Sequence, residues 1–260
     1  GFELAAMAER EGVPFIFTEH SSHHNRTLSP EQAERLKKEY GRCSAVLAVS
    51  RALAKNMRAN TGVEAAIVPN IVDTARFAPK RIAHERFTFV SAGNLIPVKN
   101  MAGLLRAFAA LHGEPRLIIF GDGPESGALR ALCAELGLES RVSFRGHCPR
   151  EELAEAYAAA DCFVLASRSE TFGVAYIEAM AAGLPVIATR CGGPEKFVTE
   201  KNGILVPVDD TNALVDAMEH MMMCRNEYDG AAIAAEAKER FSPEKIAAQL
   251  TAVYEEVVSC

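Results

Sequence analysis

From about residue 87 to residue 206 the chain alternates short apolar runs with amphipathic stretches. That alternation limits the fold more than any single motif does. Runs at 87–92, 116–120, 142–145, 162–166 and 184–188 have the length and the aromatic or β-branched content of strands. Helix-patterned stretches separate them at 101–111, 125–136, 150–159 and after Gly173, with a short helix expected near 193–199 and a turn at Asn202-Gly203. Strand, helix and strand joined by short connections form βαβ units. A series of them gives an α/β protein with a doubly wound parallel sheet.

The first part of the chain reads as a partial second α/β domain. Pro14–Thr18, Ala45–Val49 and Ala65–Val68 are apolar runs of strand type, and Gly1–Ala8 has the pattern of an amphipathic helix without an N-cap. Ser29-Pro30-Glu31 supplies an N-cap, a first-turn proline and a first-turn acid, and Ser50 caps a helix reaching about Asn60. Residues 70–86 are polar, proline-bearing and without periodicity, so the domain boundary is placed there. Helices are expected near 211–223 and 230–240. Ser242-Pro243-Glu244 then opens a last helix with Ile246, Leu250, Val253 and Val257 on one stripe. The expected division is 1–75, 85–240 and a terminal helix at 241–260 that crosses back toward the N-terminal part.

Composition removes several classes of function. A net charge of −6 argues against binding nucleic acid, which requires a basic surface. Seven cysteines is an odd number, and from Cys43 to Cys260 no C-x-x-C or ligand spacing occurs, so reduced thiols are expected. No apolar run approaches the roughly 18–20 residues of a membrane-spanning helix, and no basic leader with an apolar core opens the sequence. A cytoplasmic setting is expected, with peripheral association at the cytosolic membrane face as its extension.

The chemistry concentrates in Ser169–Ala188. Glu170 and Glu178 stand eight positions apart, with Gly173 between them where a helix begins after the Cys162–Leu165 run. The natural ligand site of a βαβ unit is the turn after its first strand. Amides of Phe172, Gly173 and Val174 at that helix start would face the turn and attract phosphate. Glu178 lies five residues into the helix, about 7–8 Å along its axis. That is close to the span from a diphosphate to the sugar beside it. One carboxylate before the anion site and one beyond it suit the hydroxyls of two sugars, which is the pattern of a nucleotide sugar. Read alone, the two glutamates could equally be solvated charges.

This segment resembles the E-x7-E signature of retaining glycosyltransferases of family 4, which have the GT-B fold with Rossmann-like domains. Other motifs follow in family order: Pro69–Asp73 with Phe77-Ala78-Pro79, then Gly93-Asn94-Leu95 with Lys99-Asn100, then Gly121–Pro124. Gly192–Glu195 and Asn202–Val206 come after the signature helix. The resemblance implies that Glu170 contacts the donor sugar, with Thr171 beside it. It also implies that the Phe172–Gly173–Val174 backbone holds the diphosphate, that Glu178 contacts the ribose and that Lys99 neutralises the leaving group. Gly93, Asn94, Gly121, Asp122 and Gly123 would line the nucleotide, and Arg145, Gly146 and His147 would border the base. His20, in Thr18–Ser22, would lie on the acceptor side. Catalysis falls to Glu170 and Lys99, without cofactor or metal, on a UDP or GDP sugar and a carbohydrate or lipid-linked acceptor. Asn94 departs from the family, which commonly has arginine there. That departure leaves Lys99 as the main local cation unless Arg190 or Lys196 compensates, and it keeps open a nucleotide-sugar-binding module that has lost catalysis.

Three competing patterns remain. Gly121-x-Gly123 with Gly127 approximates a dinucleotide-binding turn, but the following strand ends in Arg145 rather than an acid, which leaves only an NADP-type oxidoreductase. His20, His23 and His24 have the spacing of a shared metal site on a helix, yet they lie in a loop without companion ligands. Met218 and Met221–Met223 are read as packing, and Arg35, Lys37, Lys38 and Arg42 as a solvated face. The uncapped start and the short stretch before Pro69 suggest a fragment. It would fold its nucleotide domain and lack acceptor-dependent transfer by itself. The apolar stripe of its last helix would be buried by self-association or by the remaining N-terminal strands, with a homodimer or poor solubility as the expected outcome.

Overall fold

Burial on both faces of the sheet is what makes the strands of the second half read as unbroken apolar runs. In the computed structural model, which describes residues 2–80, 82–83 and 85–259, those runs form a six-stranded sheet. Gly1, in the uncapped start, and Cys260 lie outside the described residues.

The chain divides into two compact units. Residues 1–71, 170–172 and 243–260 form the first, and residues 72–169 and 173–242 the second.

The first unit carries helix α1 (Phe2–Glu11), strand β1 (Ile16–Glu19), helix α2 (Pro30–Tyr40), strand β2 (Ala45–Ala48), helix α3 (Arg51–Thr61) and strand β3 (Ala66–Ile67). The strands are parallel in the order β1-β2-β3. Ser29 caps α2 through a full capping box with Gln32, and Ser50 accepts from the Leu53 amide to cap α3. The last helix of the chain, α10 (Pro243–Ser259), belongs to this unit. Its Ile246 is 2% exposed against Leu47 and Val68, with Leu250 and Val253 packed around them. The apolar stripe read from the sequence is therefore partly covered within the unit itself.

The second unit is the doubly wound sheet: β4 (Thr88–Ala92), β5 (Arg116–Phe120), β6 (Val142–Gly146), β7 (Cys162–Leu165), β8 (Val186–Thr189) and β9 (Gly203–Val206). All neighbours are parallel in the order β6-β5-β4-β7-β8-β9, so chain direction across the sheet reverses between β4 and β7. Helices α4 (Met101–Ala109), α5 (Ser126–Glu135), α6 (Arg150–Ala158), α7 (Val174–Ala181), α8 (Thr211–Cys224) and α9 (Gly230–Phe241) cover it. Phe89, Val90, Leu117, Ile119, Phe163, Val164, Val186 and Ile187 are fully buried, and Met218 and Met221 join them as core.

Most elements lie within two residues of the positions expected from sequence. The turn expected at Asn202-Gly203 is present, with the Asn202 and Gly203 amides donating to the Thr199 carbonyl (3.0 and 2.9 Å). It runs directly into β9 at Gly203, where a side chain has no room because a Cβ would stand 2.1 Å from the Val186 carbonyl oxygen. One element differs in kind. Ser22–Asn25, read as loop, is one turn of 3₁₀ helix capped by Ser21.

Candidate functional site

In a parallel sheet the segments leaving the carboxyl ends of the strands emerge along one edge. A crevice opens there where the direction of winding reverses. The reversal between β4 and β7 places Gly93–Asn100, which follow β4, next to Ala166–Ser169, which follow β7. Gly121–Gly123 follow β5, and Arg145 and Gly146 end β6.

These loops are zippered to one another. The Gly93 amide donates to the Phe120 carbonyl (3.1 Å), Leu95 to Asp122 (2.9 Å), Gly121 to Gly146 (2.7 Å) and Glu125 to Leu95 (3.0 Å). Gly121 and Gly123 adopt φ of 123° and 158°, and a Cβ on them would lie 1.9 Å from the Gly93 oxygen and 2.5 Å from the Leu95 oxygen. The glycine pattern that approximates a dinucleotide turn thus has a cause in loop-on-loop packing. The Asp122 carboxylate closes its own turn by accepting from the Gly123 amide at 2.7 Å. Asn94, Arg145 and His147 are exposed at this edge.

Lys99 ends a 3₁₀ turn over Pro97–Lys99. Its aliphatic stem runs across Gly93, whose Cβ position lies 3.8–3.9 Å from Lys99 Cγ, Cδ and Cε. Asn100 follows in the left-handed conformation (φ 50°) and caps α4 by accepting from the Gly103 amide at 3.2 Å.

Helix α7 begins at Val174 with Gly173 at φ 99° and no side-chain cap. A Cβ at Gly173 would stand 2.7 Å from the Tyr176 ring, so the sharp entry requires glycine. The start of α7 therefore presents first-turn amides without a side-chain cap, with only the Tyr176 amide turned back to the Gly173 carbonyl (3.1 Å), the arrangement that favours an anion. Tyr176 fixes the helix by donating to the Leu165 carbonyl (2.8 Å) and meeting Phe163 edge-on.

Glu178 is 5% exposed on α7 and forms an ion pair with Arg150, the first residue of α6. Burial pushes the Glu178 carboxyl above its ordinary value, and the Arg150 guanidinium pulls it back toward ionisation. The ring of Tyr157 is fully buried near the pair, with its phenol raised first by burial and then by the Glu178 charge.

Glu170, Thr171 and Phe172 group with the first unit. Glu170 is 8% exposed, and the Thr171 carbonyl accepts from Ser50 Oγ at 2.5 Å. In the same unit His20 is exposed just beyond β1. The turn around His20 is locked by Glu19, whose Oε1 accepts from the Ser21 amide (2.7 Å) and whose Oε2 accepts from the Tyr40 hydroxyl (2.6 Å). His24 Nε2 reaches the Tyr40 hydroxyl at 2.8 Å, and its buried Nδ1 has no partner among the described residues. Burial, opposed by the Glu19 charge, lowers the His24 imidazole from its ordinary value. His24 is thus buried on Tyr40 while His20 and His23 are exposed, and no cluster of three metal-ligating side chains occurs among the described residues. No helix among them is long and apolar enough to cross a membrane.

Sequence reasoning missed Arg150, Arg168 and Asp209. Arg168 carried one legible signal, a cation two residues before Glu170 at a strand end. Its Nε donates to both oxygens of Asp209 (2.8 and 3.0 Å), and its Nη1 donates to the Pro97 carbonyl (2.8 Å).

Comparison with known proteins agrees in both parts of the chain. Residues 72–240 match the family model described as Glycosyl transferases group 1, and residues 1–76 match the model described as Glycosyltransferase Family 4. A GDP-mannose-dependent alpha-(1-6)-phosphatidylinositol monomannoside mannosyltransferase of Mycolicibacterium smegmatis is 30% identical over 243 residues, covering 84% of this chain and 64% of that protein. N-acetyl-alpha-D-glucosaminyl L-malate synthase of Bacillus anthracis is 33% identical over 182 residues, covering 68% of this chain and 47% of that one. The chain thus spans less than two thirds of the length of these curated relatives. The crystal structure of Anabaena HepE in complex with UDP superposes with a TM-score of 0.88 at 21% identity, over 98% of this chain and 76% of that one. That likeness establishes the fold.

Proposed function

Since the chain belongs to the glycosyl transferases group 1 family, we propose that its second unit is the donor-binding domain of a glycosyltransferase. This enzyme transfers a sugar from a nucleoside diphosphate to a carbohydrate or lipid-linked acceptor, with retention of configuration and without a metal. The observation that carries the reading is α7, where an uncapped amide terminus and the buried Glu178 lie on one short helix. The amides at the start of α7 and the Lys99 ammonium take the diphosphate, and Glu178 accepts from the ribose hydroxyls. Cationic and amide donors stabilise negative charge on the departing diphosphate, the work a divalent ion would otherwise do. Glu170, by its matched position in the signature, orients the donor sugar, and His20 serves the acceptor side. The names of relatives point to GDP and UDP as the donor nucleotides to try first.

Calorimetric titration with UDP, GDP and ADP tests the reading, with one of them binding and Glu178→Ala weakening it by about tenfold or more. NMR of the product formed by the whole enzyme then reads the anomeric configuration. An inverted product, or activity lost to a chelator, would refute the retaining metal-free mechanism. Clear NADP binding with no diphosphate affinity would refute the donor site. Binding without turnover in the whole enzyme would leave a nucleotide-sugar-binding module.

A further inference from the structure

Among the described residues only two that are not glycine hold a positive φ: Asn100 at 50° and Asp209 at 58°. They touch each other, with Asn100 Nδ2 donating to Asp209 Oδ1 at 3.2 Å. Left-handed backbone is unfavourable for residues with a Cβ, least so for asparagine and aspartate, and neighbouring groups can hold them there. Here the surroundings are one small network.

Arg168 sits at its centre. The guanidinium grips Asp209 through Nε and the Pro97 carbonyl through Nη1, while the Arg168 amide donates to the Val98 carbonyl at 2.7 Å. Val98 and Asn100 are the immediate neighbours of Lys99, and Pro97 precedes Val98. Each is tied by a hydrogen bond to Arg168 or Asp209, so the backbone around the lysine is fixed from both sides. The tie crosses the point where the winding of the sheet reverses, joining the loop after β4 to the residues after β7 and β9.

Bulk stability is a poor account of this arrangement. The side chains of Arg168 and Asp209 are 45% and 52% exposed, and exposed ion pairs contribute little. A lysine side chain is long and flexible, however, and a fixed backbone limits where its ammonium can go.

Resting on the donor-site reading above, we propose that Arg168 and Asp209 are positioning residues that hold the Lys99 loop so that its ammonium meets the donor diphosphate. They act through Lys99 and do not themselves touch the nucleotide.

A double-mutant cycle on the whole chain tests this. UDP, GDP and ADP are titrated calorimetrically, with uridine, guanosine and adenosine as probes that lack the diphosphate. Asp209→Gly removes the carboxylate and relieves the left-handed strain, so the melting temperature should not fall. Affinity for the diphosphate should drop about threefold to tenfold, and nucleoside affinity should stay unchanged. Asp209→Asn, which keeps a residue tolerant of positive φ, should give the same loss. In a Lys99→Met background neither change should weaken binding further. Unchanged diphosphate affinity in both Asp209 variants overturns the proposal. So does a full additional loss in the Lys99→Met background, or a Lys99→Met variant that binds as tightly as the parent. If the unsubstituted chain binds none of the three diphosphates, the donor-site reading falls and this role falls with it. If it binds them through Lys99 but ignores Asp209, only the positioning role falls.

Discussion

The Arg150 guanidinium at the start of α6 closes on the buried carboxylate of Glu178 in α7. Glu178 is 7% exposed at its side chain and Arg150 is 53% exposed, so solvent reaches the cation and barely reaches the anion. Ionisation of Glu178 is opposed by burial and supported by that one partner. The balance makes the proposed ribose contact sensitive to pH and to Arg150.

Replacing Arg150 with methionine should raise the Glu178 carboxyl further above its ordinary value. The acid limb of nucleotide affinity against pH should then move upward, and Glu178→Gln should abolish the limb. At pH 7 Arg150→Met should also cost about 1–2 kcal/mol, below the figure for a fully buried pair because the guanidinium is half in solvent. Calorimetry across pH 5–8, with a urea melt at pH 7, reads both. A limb that does not shift would remove Arg150 as the counter-ion.

Glu178→Gln should not destabilise the second unit at neutral pH. A carboxyl raised by folding adds stability that is fully present below its ordinary 4.5 and is lost as pH rises through the folded value. The ionised glutamate is thus the less favourable form at pH 7, and a neutral amide should melt at the same temperature or higher. That difference should shrink toward pH 4. Thermal melts at the two pH values decide it, and a large loss of stability at pH 7 would contradict the sign.

Gly121 and Gly127 should respond oppositely to alanine. At Gly121 a Cβ would meet the Gly93 oxygen at 1.9 Å, on a backbone at φ 123°, and Gly121→Ala should cost about 2–4 kcal/mol or prevent folding. Gly127 lies within α5 with nothing inside 4 Å of its Cβ position, and Gly127→Ala should add about 0.5–1 kcal/mol. Denaturant titration of the pair measures both signs. A nucleotide requirement for the Gly121 pattern would instead leave the empty protein's stability intact.

In the first unit, acid should act through His24. An imidazole lowered by burial contributes stability that is present above its ordinary 6.5 and is lost as pH falls through the folded value. Protection of β1 and α2 amides from hydrogen exchange should weaken as pH drops below about 6.5, after correction for the intrinsic pH dependence of exchange. His24→Phe should flatten that dependence. The same slope in the variant would rule out His24 as its source.

Ordered motifs and alternation made the parallel sheet legible, because strands buried on both faces must be continuously apolar, as Phe89-Val90 and Phe163-Val164 are. Gly173 and Glu178 were legible for a related reason. A strand, a glycine turn and a helix start within one short stretch, and their geometry follows from local backbone rules. Asn202-Gly203 was legible as a turn, and what the sequence did not show was that Gly203 also opens an edge strand because Val186 approaches it closely. What only tertiary structure decided were the partners from distant parts of the chain. Arg150, at the start of α6, carries no local signal of its partner, and only the fold brings it to Glu178. Arg168 and Asp209 are 41 positions apart in sequence and meet because β7 and β9 share one sheet edge. The glycines at 121 and 123 likewise signalled a tight turn, and the packed loop at Gly93 and Leu95 supplied the reason. Local pattern determines which elements form, while charge pairing and close approach depend on which loops the sheet order brings together.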